Sequence, residues 1–437
     1  MAGRRVLFFP WPIGAGHTGR SLVAASILRA QGDECCFASD PTTSWVSNAG
    51  FTLLASTGAR RAVKVRPPAS RYLAIPSLDA AFGSIGYYHP SRVAAQVECD
   101  LAAIQAARPD IVVTHMQPTA AVAARIANVP LVSIADGDFL ARGDSSWMPW
   151  IEAGAARLSP YPSCVPAFNA VRSAHGLRAV DDASELLYGD LVLIASTPKL
   201  DPIPPGSSVG AFAHVGPLLW DVPGVTITNR LKSLAQGRAR RIYMTLGSGE
   251  VSSSELVEAA GVLAREAAAA VAVAAGYGVP EGPTDPGVLV TPLGGMSEAM
   301  QWADVVICHG GHSTVLSALT HGKPIVVVPE MSENEANGRS MVEAHGAGIL
   351  TKKTSLDCGR RLTIHDRYPD VIARCGMGGA LVRAVDEIMS NGAYAAAANR
   401  LAAELQPWLA NRDRLVAAWF DRLGGRGPAA AAGELLA

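Results

Sequence analysis

Short apolar runs alternate along the first half of the chain with stretches in which apolar residues recur every three or four positions. After the run VLFF, a helical pattern begins at about Ser21 and places Val23 and Ile27 on one face. Further apolar runs rich in β-branched residues fit strands that are covered on both faces: ECCFAS, IVVT, PLVSIA and LVLIAS. This alternation predicts a parallel α/β sheet.

The pattern stops at VGPLLWDVPG, residues 215–224, where glycine and proline crowd together, and a second series of strands and helices then runs from RIYMTLG to KPIVVVPE. The sequence therefore predicts two Rossmann-like parallel-sheet domains, at 1–220 and 221–405. A C-terminal helix at 406–425 is expected to pack back on the N-terminal domain, and residues 426–437 to form a flexible tail. Ligands bind at the carboxyl ends of the strands in such sheets, so two facing sheets would share one cleft.

Composition and charge restrict the classes of partner. Hydrophobic residues make up 49% of the 437 residues and charged residues 17%, a balance typical of a compact globular protein. The formal net charge of −1 gives no basic field for nucleic acid or anionic lipid. No apolar stretch is long enough to span a bilayer, and the run after MAGRR is too short for a signal peptide. With seven cysteines that show no paired spacing, the chain is expected in the cytoplasm.

The first predicted strand leads into GAGHTG, residues 14–19, and Asp40 follows the second strand. Glycines at this spacing and a later acidic residue are typical of a dinucleotide site, which makes an oxidoreductase one alternative. That fingerprint has its first glycine close to the strand end, whereas residues 11–13 intervene here. The loop also carries His17, whose imidazole, with an ordinary pKa of about 6.5, suits removal of a proton from an alcohol.

The segment HGGHST, residues 309–314, follows a buried strand and opens the next predicted helix. Two glycines let the backbone approach a ligand closely, and a helix N-terminus offers free N–H groups and a positive dipole end. Ser313 and Thr314 add hydroxyl donors, and His309 can donate a further hydrogen bond. Such a group suits a diphosphate bound without a metal ion. The alternative is a glycine-rich turn with a Ser/Thr helix cap.

Polar side chains follow the next predicted strand, where Pro329 leads to Glu333, Asn334 and Asn337. They are expected beside the HGGHST segment, because the carboxyl ends of neighbouring parallel strands meet at one edge of the sheet. A carboxylate accepts hydrogen bonds and a side-chain amide both accepts and donates them, which suits recognition of sugar hydroxyls. A diphosphate site next to a hydroxyl site indicates a nucleotide sugar.

These motifs resemble the inverting, nucleotide-sugar-dependent glycosyltransferases of macrolide, other natural-product and plant secondary-metabolite synthesis. Members of that family carry a strand ending in HGG, a Ser/Thr-Thr pair, a proline, an Asp/Glu-Gln pair, an asparagine and Gly-x-Gly. The chain follows this order from His309 to Gly348, and the resemblance extends more loosely through about residue 420. It implies the glycosyltransferase B (GT-B) fold, with two α/β domains, the donor in the C-terminal one and the acceptor mainly in the N-terminal one.

The resemblance also implies roles for individual residues. A Gly-His pair after the first strand, here Gly16-His17, supplies the general base that deprotonates the acceptor hydroxyl. The implied reaction moves a sugar from a UDP- or TDP-sugar to a hydroxyl of a small hydrophobic or aromatic natural product, as in antibiotic biosynthesis. No metal or other cofactor is expected, and a homodimer is compatible with this function. The implied donor-binding residues are Gly247, Ser248, Leu293, His309, Gly311, Ser313, Thr314, Glu333 and Asn334.

The chain departs from the family's pattern at three places. In many bacterial members an aspartate that supports the base ends a PD-x-V-V-x-D run, and here that position holds His115. Since a histidine cannot supply the negative charge, no acid partner of His17 is assigned. Asn334 stands where glutamine is usual, and residues 351–377 are longer than the usual connection, with no predicted role.

The sequence features also allow functions other than sugar transfer. The main one is a protein of the same fold without transferase activity, either an auxiliary partner or a sugar-nucleotide epimerase. Residues 136–138, Asp-Gly-Asp, have the D-x-D form of metal-dependent transferases, but ordinary turn chemistry is preferred. Gly322-Lys323 continues into Pro324, which excludes a P-loop. Aromatic residues cluster in stretches that fit an apolar acceptor pocket or, equally, a packed core: RYLAIPSL, FGSIGYYHP, FLARGDSSWMPWI and SPYPSCVPAFN.

Overall fold

The chain forms two compact units. The first comprises Met1–Pro68, Ile75–Trp220 and Pro407–Ala437, and the second comprises Ala69–Ala74 and Asp221–Gln406. The computed structural model describes residues 3–11, 14–38, 44–54, 72–151, 159–205, 211–246, 253–274, 284–291, 294–357 and 361–423.

The first unit is built on a parallel sheet, with seven strands among the described residues in the order β3-β2-β1-β4-β5-β6-β7. Strands β4 and β5 are buried along their whole length, as expected of strands covered on both faces. The strands are β1 (Arg5–Pro10), β2 (Glu34–Phe37), β3 (Thr52–Leu53), β4 (Ile111–His115), β5 (Leu131–Ala135), β6 (Leu191–Ile194) and β7 (Ala211–His214). The helices are α1 (Ala15–Ala30), α2 (Ser44–Asn48), α3 (Leu78–Ser84), α4 (Pro90–Ala107), α5 (Pro118–Ile126), α6 (Gly137–Leu140) and α7 (Val165–Ala174), and a 3₁₀ turn spans Ala183–Leu187.

The second unit repeats this architecture with a parallel sheet whose described strands follow the order β10-β9-β8-β11-β12-β13. Its strands are β8 (Arg240–Thr245), β9 (Ala269–Ala274), β10 (Val288–Thr291), β11 (Val305–Cys308), β12 (Ile325–Val327) and β13 (Gly348–Leu350), followed by an antiparallel hairpin, β14 (Lys352–Asp357) and β15 (Arg361–Asp366). Its helices are α8 (Thr228–Leu234), α9 (Ser253–Glu266), α10 (Met296–Trp302), α11 (His312–Thr320), α12 (Ser332–Asn337), a π-helical turn (Gly338–Glu343) and α13 (Pro369–Ser390).

The last helix, α14 (Gly392–Leu423), begins in the second unit and ends in the first, with Pro407 inside it. Asp421 near its end forms an ion pair with Arg4 at 3.0 Å. The end of this helix contributes four residues to the core of the first unit: Leu415, Val416, Trp419 and Phe420. Burying a large apolar side chain contributes about 1.5–3 kcal/mol to stability, so these residues tie the helix to that unit.

The predicted architecture of two parallel-sheet α/β units is confirmed. Residues 351–377, which had no predicted role, contain the β14–β15 hairpin and the start of α13. Within the described ranges, no helix is long and apolar enough to cross a membrane.

Candidate active site

The predicted loop at residues 14–19 is in fact the start of a helix. β1 ends at Pro10, and α1 begins at Ala15 rather than at the predicted Ser21. Gly14 precedes the helix with a φ of 87°, a left-handed conformation that glycine adopts without steric cost. The chain therefore turns from strand into helix over a few residues, and His17 lies in the first turn of α1, beyond the carboxyl end of β1.

His17 is neutral at neutral pH. Its side chain is half-buried, and its Nδ1 atom is buried without a hydrogen-bond partner among the described residues. Burial and, next, the positive charge of Arg20 lower the pKa of His17 from 6.5 to about 4, and the negative charge of Asp136 opposes them in part. A neutral imidazole has a free lone pair and can accept a proton.

His115 forms a hydrogen bond with the main chain of His17, and its ring contacts the ring of His17. The two rings meet edge to face with their centroids 4.5 Å apart, and His115 Nδ1 lies 3.1 Å from the His17 carbonyl oxygen. His115 Nε2 lies 3.4 Å from Arg20 Nη1. Because a guanidinium only donates, this contact matches the tautomer in which Nε2 accepts and Nδ1–H donates to the His17 carbonyl. The histidine at the usual aspartate position therefore bonds to the backbone of His17.

A carboxylate is nevertheless close to this pair of histidines. Asp136 follows β5 and forms an ion pair with Arg20, with 2.5 Å between Oδ1 and Nη1. The two side chains are only 6% and 4% exposed. Residues 136–138, for which turn chemistry was preferred, open the one-turn helix α6, and the Phe139 N–H donates to the Asp136 carbonyl oxygen at 3.1 Å. The negative charge of Asp136 raises the pKa of His17 and so opposes Arg20.

In the second unit, both glycines of the HGG segment are closely packed. Gly310 has a φ of 97°, and a Cβ atom there would lie 2.5 Å from the backbone oxygen of Asn334. A Cβ on Gly311 would lie 2.4 Å from His309 Nε2. Without these side chains, the segment passes between α12 and the imidazole of His309. The helix α11 then begins at His312, with Ser313 and Thr314 in its first turn.

His309 resembles His17 in its surroundings. It is half-buried at the end of β11, and its Nδ1 is buried with no partner in the described part of the chain. Burial lowers the pKa of His309 from 6.5 to about 4, and a hydrogen bond with the backbone of Thr245 opposes this in part. A neutral histidine with an unsatisfied ring nitrogen is suited to bind a ligand atom at this edge of the sheet.

The predicted sugar-binding residues form one hydrogen-bonded cluster with the HGG segment. Glu333 accepts from Asn334 Nδ2 at 2.7 Å and from Asn337 Nδ2 at 2.6 Å. Asn337 Nδ2 also donates to the carbonyl oxygen of Gly310 at 3.0 Å. The structure therefore brings together His309, Gly311, Ser313, Thr314, Glu333 and Asn334 on β11, α11, α12 and the loops between them.

Comparison with known proteins identifies the segment that contains this cluster. Residues 288–363 match the glycosyltransferase family 28 C-terminal domain. Over 390 residues the chain is 27% identical to a PGL/p-HBAD biosynthesis rhamnosyltransferase of Mycobacterium bovis (strain BCG / Pasteur 1173P2), an alignment that covers 82% of this chain and 79% of that protein. This chain is a glycosyltransferase.

The glycosyltransferase shares its fold with solved natural-product enzymes. The calicheamicin glycosyltransferase CalG4 matches with a TM-score of 0.67 and 18% identity, covering 98% of this chain and 99% of that one. The spinosyn rhamnosyltransferase SpnG, in a structure complexed with thymidine diphosphate, matches with a TM-score of 0.61 and 16% identity, covering 93% of this chain and 96% of that one. The chain therefore has the GT-B fold that its sequence resemblance implied.

Three predicted donor-binding residues of the glycosyltransferase, Gly247, Ser248 and Leu293, lie outside the described residues, as does Asp40. Their neighbours in sequence are described: β8 ends at Thr245 and β10 at Thr291. The roles of these residues stay predictions.

Sequence reasoning missed two buried polar pairs of the glycosyltransferase. Arg20 and Asp136 are the buried ion pair beside His17, and Tyr72 and Glu335 form a buried hydrogen bond in the second unit. The available signals were an arginine among the apolar residues of α1 and an aspartate directly after a buried strand. Neither signal indicates which residue is the partner, because Arg20 and Asp136 are 116 positions apart and Tyr72 and Glu335 are 263 positions apart.

Several of the aromatic stretches proposed for an acceptor pocket contribute to the core of the first unit. The ring of Tyr87 packs against Trp11, Phe82 and Phe168 with centroid separations of 5.6 to 6.4 Å, and all four side chains are buried. Phe139 and Trp147 form a second buried pair. For these rings, packing explains the composition without an acceptor.

Proposed function

We propose that this glycosyltransferase moves a sugar from a UDP- or TDP-sugar to a hydroxyl of a small hydrophobic natural product, with inversion at the anomeric carbon. The observation that carries the proposal is the neutral, half-buried imidazole of His17 beyond the carboxyl end of β1. The M. bovis relative is called a rhamnosyltransferase, and the spinosyn rhamnosyltransferase is complexed with thymidine diphosphate, which supports TDP and a deoxysugar for this chain too.

In the proposed reaction His17 removes the proton of the acceptor hydroxyl as its oxygen forms a bond to the anomeric carbon. The bond from that carbon to the diphosphate oxygen breaks on the opposite face of the sugar, so the configuration inverts. Its electron pair leaves with the nucleoside diphosphate. A base placed in this way accelerates such a step by about 10²- to 10⁴-fold.

The second unit supplies the proposed donor site. The N-terminus of α11 presents backbone N–H groups and the hydroxyls of Ser313 and Thr314, which suit the charge of a diphosphate without a metal ion. His309 offers its unpartnered ring nitrogen to the same group. The carboxylate of Glu333 and the amide of Asn334 are proposed to bind sugar hydroxyls. The proposed roles of Gly247, Ser248 and Leu293 at the diphosphate and nucleoside rest on the family resemblance.

We propose the cytoplasm as the site of the reaction. The six described cysteines, at positions 35, 36, 99, 164, 308 and 375, are all free thiols. Free and mostly buried thiols are typical of proteins in a reducing compartment. A homodimer stays compatible with this function.

A panel of nucleotide sugars and small acceptors, analysed by mass spectrometry, tests the proposal. Transfer gives a product heavier than the acceptor by the sugar residue, and NMR of the anomeric centre distinguishes inversion from retention. Isomerised donor without an acceptor product would indicate an epimerase. No turnover across the panel, with donor still bound, would indicate an auxiliary protein of this fold.

The low pKa of His17 predicts that the enzyme keeps its activity in mildly acidic solution. A protonated imidazole cannot accept the acceptor's proton, so kcat/KM falls as the pH drops through the pKa of the base. With that pKa at about 4, kcat/KM should stay level from pH 8 to about pH 5. Initial rates between pH 4 and 8 check this, with circular dichroism at each pH to monitor folding. A half-maximal rate near pH 6.5 would contradict it.

His309→Ala should weaken TDP binding by about 10-fold or more, because a hydrogen bond to a charged group contributes about 1.5–3 kcal/mol. Titration calorimetry with free TDP measures the effect. The matched control is His365→Ala, since His365 is exposed on β15 and its partners among the described residues, Ser355 and Thr363, belong to the same hairpin. Equal affinity in the two variants would remove His309 from the diphosphate site.

A further inference from the structure

A short segment from the N-terminal part of the sequence is built into the second unit. The Leu73 N–H donates to the carbonyl oxygen of Glu330 at 2.8 Å, and the Ser332 N–H donates to the carbonyl oxygen of Leu73 at 3.2 Å. Leu73 thereby forms a parallel β-bridge with Met331, immediately before α12. The start of that helix is fixed by a chain segment about 260 residues earlier in the sequence.

The adjacent residue, Tyr72, reaches a buried carboxylate in the same helix. Its hydroxyl donates to Glu335 Oε2 at 2.6 Å. Tyr72 is 3% exposed and Glu335 is fully buried. Burial and the nearby carboxylate raise the pKa of the Tyr72 hydroxyl, so it stays protonated and remains a donor.

Glu335 is held from two further sides. Its Oε1 accepts from the Thr354 N–H at 2.8 Å and from Arg339, and its Oε2 accepts from the Thr354 hydroxyl at 2.9 Å. A fully buried carboxylate is tolerated when its charge is paired and its lone pairs are hydrogen-bonded, so this set of donors fixes the orientation of Glu335. Thr354 lies on β14, in the segment that had no predicted role.

The residues proposed to bind the sugar lie between these two anchor points. α12 and the π-helical turn that continues it span residues 332–343, a length at which an isolated helix is marginal in water, so its position depends on its contacts. Ser332 is fixed by the β-bridge and Glu335 by its donors, and Glu333 and Asn334 are the two residues between them. A shift at either anchor moves the proposed sugar-binding side chains.

We propose that Tyr72 is a positioning residue that sets how this enzyme binds the sugar of its donor, by holding α12 through Glu335. The proposal rests on the proposed function of Glu333 and Asn334. It assigns Tyr72 no role in binding the nucleoside diphosphate, because its hydroxyl donates to Glu335 of α12.

Tyr72→Phe tests the proposal with the full-length enzyme. Loss of one hydrogen bond to a buried carboxylate should raise the KM for the TDP-sugar by about 10-fold, with the Kd of free TDP changed by less than about twofold. The ratio of kcat/KM values for two donor sugars should shift as well. The control is Tyr188→Phe, which removes the hydroxyl of a buried tyrosine of the first unit that donates to the Leu140 carbonyl.

A second measurement does not depend on the reaction. Hydrogen exchange of the amides at residues 331–337 should be faster in Tyr72→Phe than in the wild type and unchanged in Tyr188→Phe, since the anchored helix opens more often once a contact is lost. If the amides at residues 331–337 exchanged at the wild-type rate in Tyr72→Phe, the positioning role would be overturned. This outcome holds even if the chain proved to have no transferase activity.

Thr354→Val provides a second variant, because it removes another hydroxyl donor to Glu335 Oε2 and leaves Tyr72 in place. It should also raise the donor KM without changing the Kd of TDP. An unchanged donor KM in both variants, or an equal loss of TDP and TDP-sugar affinity, would overturn the proposal. Failure of His309→Ala to weaken TDP binding would instead contradict the proposed donor site.

Discussion

His17→Ala should lower kcat by about 10²- to 10⁴-fold and leave the Kd of TDP within about twofold of the wild-type value. The imidazole is the proposed acceptor of the hydroxyl proton, and without it an alcohol attacks the anomeric carbon as a poor nucleophile. The nucleotide is proposed to bind residues of the second unit, so its affinity should not depend on a side chain of α1. Single-turnover rates with saturating donor, together with calorimetry, separate the two quantities.

The matched control is His175→Ala, because His175 is an exposed histidine that follows α7 in the same unit. It should retain wild-type kcat. Wild-type turnover in His17→Ala would refute the assignment of the base. A parallel loss of TDP affinity would show that the variant disturbs more than the proton transfer.

Arg20→Met should destabilise the first unit by about 3–5 kcal/mol, the usual cost of breaking a buried ion pair by removing one member. The substitution leaves the buried carboxylate of Asp136 without this counter-charge and takes the donor away from His115 Nε2. Urea unfolding monitored by circular dichroism measures the shift in midpoint.

Two controls distinguish this effect from a general loss of charge. Arg125→Met breaks an ion pair with Asp190 whose side chains are 33% and 39% exposed, and it should cost no more than about 1 kcal/mol. The double variant Arg20→Met/Asp136→Leu should recover much of the stability, because it removes both buried charges. If Arg20→Met were no more destabilising than Arg125→Met, the ion pair would have little structural importance.

The geometry of the proposed donor site could be predicted from the sequence because its information is local. The HGGHST segment and the Glu333–Asn337 stretch belong to successive βα units of one parallel sheet, and such units place their strand ends side by side. Two short motifs were therefore enough to anticipate that Asn337 would lie near Gly310. The two sheets could be predicted for the same reason, since each strand is a buried apolar run with its own pattern.

The support of the site could not be predicted, because it depends on pairs that are distant in sequence. Nothing in RYLAIPSL indicates that Tyr72 donates to Glu335, and this aromatic stretch fitted an acceptor pocket and a packed core equally well. The earlier start of α1 depends on the positive φ of Gly14, and a glycine permits such a conformation without requiring it. His115 was identified as a departure from the family, but its bond to the His17 carbonyl joins residues 98 positions apart.

The end of α14 has a consequence for exchanging halves between related enzymes. Residues 415–420 of this helix complete the core of the unit that contains His17, although nearly two hundred residues separate them from the end of that unit's main segment at Trp220. A chimaera joined once, near residue 220, would therefore combine one parent's sheet with the other parent's covering helix. Grafting a new donor specificity onto this chain requires two crossovers, with the native sequence restored from Pro407 onward.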